Sequence, residues 1–524
     1  MIGWDMNRLY GDVDSPRFKE DLVEVVRLSR RVERDTRKKG CSLVSVLDRY
    51  QKALDIMESL DAFAGAMRSV DTTNPKYAKA VAQVGKAGLV VDHLHVAMLS
   101  FFASRKDEIA RLCAPGGELE AYGYVLGQLL EEQKHTMSPD MEALASDLNR
   151  SGTDAFSRLQ ETVSANATTD WADGERKTAT QLRAYAFSPD RQLRRLAFEK
   201  ELSIWREHQD AFAAALNGVK GATITLDRNR GYESPLSRSL SESRIDGATF
   251  EALRSTLQDN LPMFRRYLEA KAKMLNLDEL AFYDLFAPVG SGEKQYTYEE
   301  AQAFVIKQMS SFSPKMGAFV TKAFAQRWVD PFAHQGKVGG AYDVAFPVFG
   351  ESRVMANFDG TYNGVSTFAH ELGHAFHDSI VLPLPHLLRT YPMTLAETAS
   401  IFSEFVALQG ALKDADDNGQ VTLIEHFLQD ACQVCVDILC RFLFEEEVFR
   451  KRKNEELTSD GFCRLMVSCQ KQTYGKLSVY HPYMWAVKSH YYSSDFSFYN
   501  YPYAFGQLFG LGLYAVYEKR PALF

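Results

Sequence analysis

The segment STFAHELGHAFHD, from Ser366 to Asp378, holds three of the chain's 12 histidines and one glutamate within a few residues of each other. His370, Glu371 and His374 spell H-E-x-x-H. On a helix, residues four apart share a face. Two imidazoles placed so can offer nitrogens to one divalent ion at about 2.0–2.1 Å. Glu371 then stands beside the open coordination position, where it can take a proton from water, as in a hydrolytic metal site. A plain amphipathic helix with polar residues in solvent would show the same letters, and chance alone yields the motif in roughly two of a hundred chains of this composition. The flanks, VSTFA and AFH, argue against that reading. They are small or apolar, and polar groups among them need partners. Ser366 or Thr367 can cap the helix start.

An open tetrahedral site needs a third protein ligand. A histidine six residues after His374 would complete one known pattern, but that position is Ile380. A glutamate on a following helix is the other common solution, and YPMTLAETASIFSEF supplies Glu397. The gap from His374 accommodates a turn, a loop and a return helix. Glu397 also closes a capping box with Thr394, so its carboxylate could instead serve its own helix. Glu404, two turns on, is a rival ligand or an outer partner for one histidine. Glu397 is the preferred ligand, and His377 reads as a rim residue.

These residues must be carried by a mostly helical chain. Ile56, Leu60, Phe63 and Met67 form one apolar stripe, and Phe198, Leu202, Trp205, Phe212 and Leu216 form another that ends near Gly218. Strand signals concentrate from Gly336 to Gly364, just ahead of the histidine-rich segment. A small sheet is therefore predicted beside the motif helix. Polar residues and Gly152, within Ser146 to Phe156, suggest a boundary. It divides residues 1–148, an amino-terminal helical subdomain, from 149–524, a catalytic domain.

The 524 residues can bury a large core, and 46% hydrophobic with 24% charged residues is ordinary for a globular protein. A net charge of −8 argues against nucleic-acid binding. Seven scattered cysteines show no disulfide framework, which points to a reducing, cytoplasmic setting. Cys432 and Cys435 form one C-x-x-C in a helical pattern and read as core residues. AGLVVDHLHVAMLSFFAS is broken by Asp92 and two histidines, so no membrane span is expected.

Several segments together resemble a known family. FAHELGHAFH followed by LAETAS, with GKVGGAYD, MANFDGTYNGVSTFAHELGH, RGYESPLSRSLSESRID and FYNYPYAFG, is similar to the thimet oligopeptidase and oligoendopeptidase F family of zinc metallopeptidases, closest to the oligoendopeptidase F branch. The likeness runs from about residue 40 onward. The chain is shorter than typical members, chiefly at its amino end. The resemblance implies a zincin-like fold, mostly α, with two helical lobes around a deep substrate channel and a small sheet next to the zinc-binding helix. It implies one Zn²⁺ on His370, His374 and Glu397, and short peptides as substrates. Glu371 is the expected general base, and His490, Tyr499 and Tyr503 are expected to stabilise the transition state. Gly339, Gly340 and Tyr501 are expected to contact substrate, and SRVMANF (Ser352 to Phe358) is the candidate edge strand for its backbone. The implied activity is cleavage of internal bonds in oligopeptides. A zinc carboxypeptidase or dipeptidyl carboxypeptidase on a similar scaffold is the alternative, and a silent peptide-binding protein is a third.

Overall fold

The computed structural model describes residues 3–290 and 294–523. Helices dominate, and a three-stranded sheet lies directly before the motif helix, as predicted. In that sheet the central strand Glu351–Met355 pairs antiparallel with Tyr342–Phe346 and parallel with Val329–Asp330. The central strand is buried at every residue. Tyr342–Phe346 is therefore the edge strand beside the motif helix, and the segment expected to bind substrate lies inside the sheet. Alternation alone marks a strand but does not reveal its neighbours. A second, two-stranded hairpin joins Thr168–Asp170 to Arg176–Thr178, where no strand was expected.

The motif helix spans Tyr362–Val381. Its N-cap is Thr361, whose side chain accepts a bond from the Gly364 amide, so the helix starts a turn before the caps expected at Ser366 or Thr367. Val365, Phe368 and Leu372 are fully buried on its core face. Each contributes about 1.5–3 kcal/mol, against about 1 kcal/mol for a cap. Burial of that face, more than capping, holds the helix and leaves His370 and His374 on the opposite side.

Three buried clusters support this arrangement. The helices from Pro16–Thr36 to Gly123–Lys134 share one core with Phe346 of the edge strand and Leu387 of the short helix His386–Arg389 after the motif helix. The motif helix and sheet share a second, including Val329, Val354, Phe368 and Phe402. The long helix Arg191–Asn229 anchors the third with the tail residues Tyr491, Tyr492 and Tyr501. That helix runs straight through Gly218. A Cβ there would lie 2.6 Å from the Phe156 ring, so the glycine permits a helix contact and does not end the helix.

One helix, Pro75–Ser104, is long and apolar enough to cross a membrane by length and composition. Its Val84, Leu94, Met98 and Phe102 are packed in the first core. All seven cysteines are free, and Cys432 and Cys435 are buried.

Candidate metal centre

Three side-chain atoms converge at the motif. Nε2 of His370 and Nε2 of His374 lie 3.2 Å apart, and Oε2 of Glu397 is 3.2 Å from each. An ion bound tetrahedrally at 2.0–2.1 Å separates its ligand atoms by roughly 3.3 Å. The triangle fits a zinc ion without rearrangement, and two imidazoles with one carboxylate are a donor set that zinc accepts.

Local structure explains why Glu397 reaches the histidines. It sits at the junction between the short helix Met393–Ala396 and the helix Thr398–Asp414, and makes no capping bond there. Thr394 donates its hydroxyl to Ser243 O, so the capping box does not form. The second helix packs closely on the motif helix. A Cβ on Gly373 would meet Ser403 Oγ at 2.6 Å and Ala399 O at 2.8 Å. The tail helix Tyr501–Lys519 presses from the other side, where a Cβ on Gly506 would lie 3.0 Å from Glu397 Cβ. Glu404 bonds the Nδ1 edge of His370 and takes no part in the triangle.

Charges in this cluster are strongly coupled. Burial disfavours a charged His370, but the hydrogen bonds it donates to Glu397 and Glu404 outweigh it and push the ring up to about 10. Burial likewise opposes ionisation of Glu397, yet bonds from both imidazoles hold it well below the usual carboxylate range. Glu371 is different. Burial raises its pKa, and only part of that is offset by the two histidines. Elevation of this kind suits a general base.

A cavity of about 530 Å³ opens onto the triangle, lined among others by Asp343, Glu371, Asp378 and Tyr391. A neighbouring cavity shares Glu58, Asp61, Ala345, Asp378 and Tyr391 with it and extends along the amino-terminal helices. Asp343 and Asp378 escaped the sequence reading, although Asp378 follows His374 by one helical turn. His377 packs on Tyr391 with ring centroids 4.8 Å apart, away from the triangle. A second acidic group, Asp55 and Glu58 with His386, is filled by Arg389, whose guanidinium lies 2.6 Å and 2.7 Å from the two carboxylates.

The tail residues divide. Tyr499 and Tyr503 bring their hydroxyls within 3.1 Å, because Pro502 sits in the first turn of the tail helix, where its missing N–H costs nothing. His490 stacks on Tyr499 at 5.9 Å, and its Nε2 is buried without a protein partner. Burial and the cations Arg441, Lys488 and Lys220 keep that imidazole neutral. Tyr501 does not face the cavity. It is 3% exposed, packs on Phe250 and Phe442, and donates to Ser239 O while bonding Ser243 Oγ. Its expected role in substrate contact is thus corrected to a core role, since helical periodicity turns its ring opposite to Tyr503. Gly339 and Gly340 lie in the exposed loop before the edge strand, and Gly340 has φ +82°.

Comparison with known proteins decides the family. The profile of peptidase family M3 matches residues 184–521, and that of oligopeptidase F matches 102–168. The chain belongs to peptidase family M3. The M3 chain is 25% identical to oligopeptidase PepF of Bacillus subtilis over 88% of its own length and 71% of the relative's. It is 24% identical to an oligoendopeptidase F homolog of Lactococcus lactis, over 96% and 86%. Its fold recurs in a crystal structure from Chlamydophila abortus (TM-score 0.82, 22% identity, covering 99% and 89%). It recurs also in oligoendopeptidase F of Enterococcus faecium (TM-score 0.68, 19% identity, covering 96% and 88%). Membership of family M3 makes the chain a peptidase.

Proposed function

We propose that this M3 peptidase is a zinc-dependent endopeptidase of short oligopeptides, with His370, His374 and Glu397 as ligands and Glu371 as general base. The observation that carries the reading is the 3.2 Å triangle, with a buried carboxylate next in sequence to one of its corners. Zinc held there supplies a Lewis acid that polarises the scissile carbonyl and acidifies the attacking water.

The chain's own residues supply the rest. Glu371 accepts the proton of the water and passes it to the leaving amine. Tyr499, Tyr503 and the neutral His490 offer donors for the carbonyl oxygen as it gains charge. Substrate backbone adds to the open side of Tyr342–Phe346, with Gly339 and Gly340 leaving room at its entry. We assign residues 1–148 as one wall of the substrate path, and the enzyme to the cytoplasm, which its free cysteines suit.

Mass spectrometry of a mixed peptide pool, digested with and without a chelator, tests this. Internal cuts in short peptides, lost with chelator and restored by zinc, are expected. Cleavage untouched by metal removal would defeat it. Failure on peptides blocked at the carboxyl end would favour the carboxypeptidase reading.

A further inference from the structure

Phe498, the residue before Tyr499, has φ +56°. A bulky residue rarely enters this left-handed region, and it stays there only where its surroundings over-determine it. Arg244, Asn276 and Arg327 also have positive φ. Each of those lies two positions past the last residue of a helix, the ordinary place for that conformation. Phe498 has no such setting. It lies within residues 493–500, which form no regular helix or strand.

Side chains from elsewhere hold this segment. Arg238 donates to Ser494 O at 3.2 Å and also to Asp495 O. At the far end, the Phe498 N–H donates to Oε2 of Glu445 at 3.1 Å. The other oxygen of Glu445, Oε1, accepts from Lys220 Nζ at 2.6 Å. Lys220 comes from the long helix Arg191–Asn229 and Glu445 from the helix Ile438–Arg452. Both side chains are buried. The Phe498 ring is buried against Phe442 and Phe449, with centroids 5.0 Å and 5.5 Å away. The next ring, Tyr499, turns instead to His490 and to the Tyr503 hydroxyl.

An ion pair buried this deeply is a poor source of stability, since taking both charges out of water offsets their attraction. Two apolar side chains would fill the space without that cost. They would leave the buried Phe498 N–H without an acceptor. Lys220 balances the charge of Glu445 and leaves Oε2 for that amide.

We propose that Glu445, neutralised by Lys220, is a positioning residue: it holds the left-handed turn at Phe498 and so sets the Tyr499 hydroxyl beside that of Tyr503. Its effect on catalysis rests on the proposed role of Tyr499 as a donor to the carbonyl oxygen.

The test uses zinc-loaded protein and an internally quenched oligopeptide. Lys220→Met/Glu445→Met removes both charges, which leaves the local net charge unchanged, and removes the acceptor. Its kcat should fall about 10-fold to 100-fold, as small misplacements do, while KM and zinc content stay within about twofold. Hydrogen–deuterium exchange in residues 493–500 should quicken about 10-fold. Lys220→Met/Glu445→Gln keeps a carbonyl oxygen for the amide, so kcat should return to within about threefold of wild type, with slow exchange. Tyr499→Phe alone should lower kcat about 10-fold or more. Added to Lys220→Met/Glu445→Met it should cost less than about threefold more, because both changes act through one hydroxyl. Should Lys220→Met/Glu445→Met not fold, Lys220→Met/Glu445→Leu carries the same expectations. Unchanged exchange or wild-type kcat without the acceptor, an equal fall in Lys220→Met/Glu445→Gln, full additivity with Tyr499→Phe, or zinc lost in step with activity would overturn the positioning role. Wild-type kcat in Tyr499→Phe, or a wild type that cleaves no peptide, would instead refute the role of Tyr499 or the peptidase reading itself, and the exchange rates would still judge whether Glu445 holds the turn.

Discussion

Glu404 bonds Nδ1 of His370, the edge of the ring turned away from His374. The carboxylate thereby fixes the tautomer that presents Nε2 to an ion, and holds the ring at the angle the triangle needs.

Removing that outer partner should weaken the metal without abolishing it. Glu404→Ala is expected to bind zinc about 10-fold to 100-fold less tightly. Glu397→Ala, which deletes a corner of the triangle, should lose more. Competition against a chelator of known affinity measures both. The reverse order would exchange the roles of the two glutamates.

Protons and zinc compete for the same nitrogens. In metal-free protein the His370 pKa is about 10, above its unfolded value near 6.5. Its contribution to stability is complete below about pH 6.5 and is lost as pH rises toward 10. Glu397 is depressed, so its contribution is present above its ordinary value and lost as pH falls. The metal-free melting temperature should therefore decline from pH 6.5 to 10. Zinc affinity should rise over the same interval, since a proton must leave His370. Melting curves across pH, with and without zinc, check both signs.

Glu371→Gln keeps the shape of the side chain but cannot accept a proton. Peptide cleavage should fall about 10²-fold to 10⁴-fold, with zinc content unchanged. Metal analysis beside a peptide assay reads both quantities, and undiminished turnover would remove Glu371 from the mechanism.

Tyr503 stands near Glu397, and burial raises its pKa and keeps it protonated as a donor. Tyr503→Phe should lower kcat by about 10²-fold if it stabilises charge on the reacting oxygen, with a smaller effect on KM. A change in KM alone would make it a binding residue.

The legible and illegible parts of the site separate by the range of the interaction. His370, Glu371 and His374 are neighbours on one helix, so spacing alone relates them. Glu397 was within reach because the gap after His374 admits a return helix and the donor type was constrained. The edge strand was misjudged, since Ser352 to Phe358 and Tyr342 to Phe346 carry comparable patterns and only sheet order distinguishes them. Tyr501 was grouped with its neighbours by residue type, but helix phase sent its ring to Phe250 and Phe442.

Local periodicity was enough to establish a helix carrying H-E-x-x-H, a sheet beside it and a mostly helical class, because backbone geometry repeats whatever surrounds it. Which carboxylate completes the triangle, which strand stays open and which tail tyrosine turns into the core depended on contacts between segments far apart in the chain. Those contacts follow from how the helices and sheet bury their apolar faces together, and no spacing along one segment encodes that.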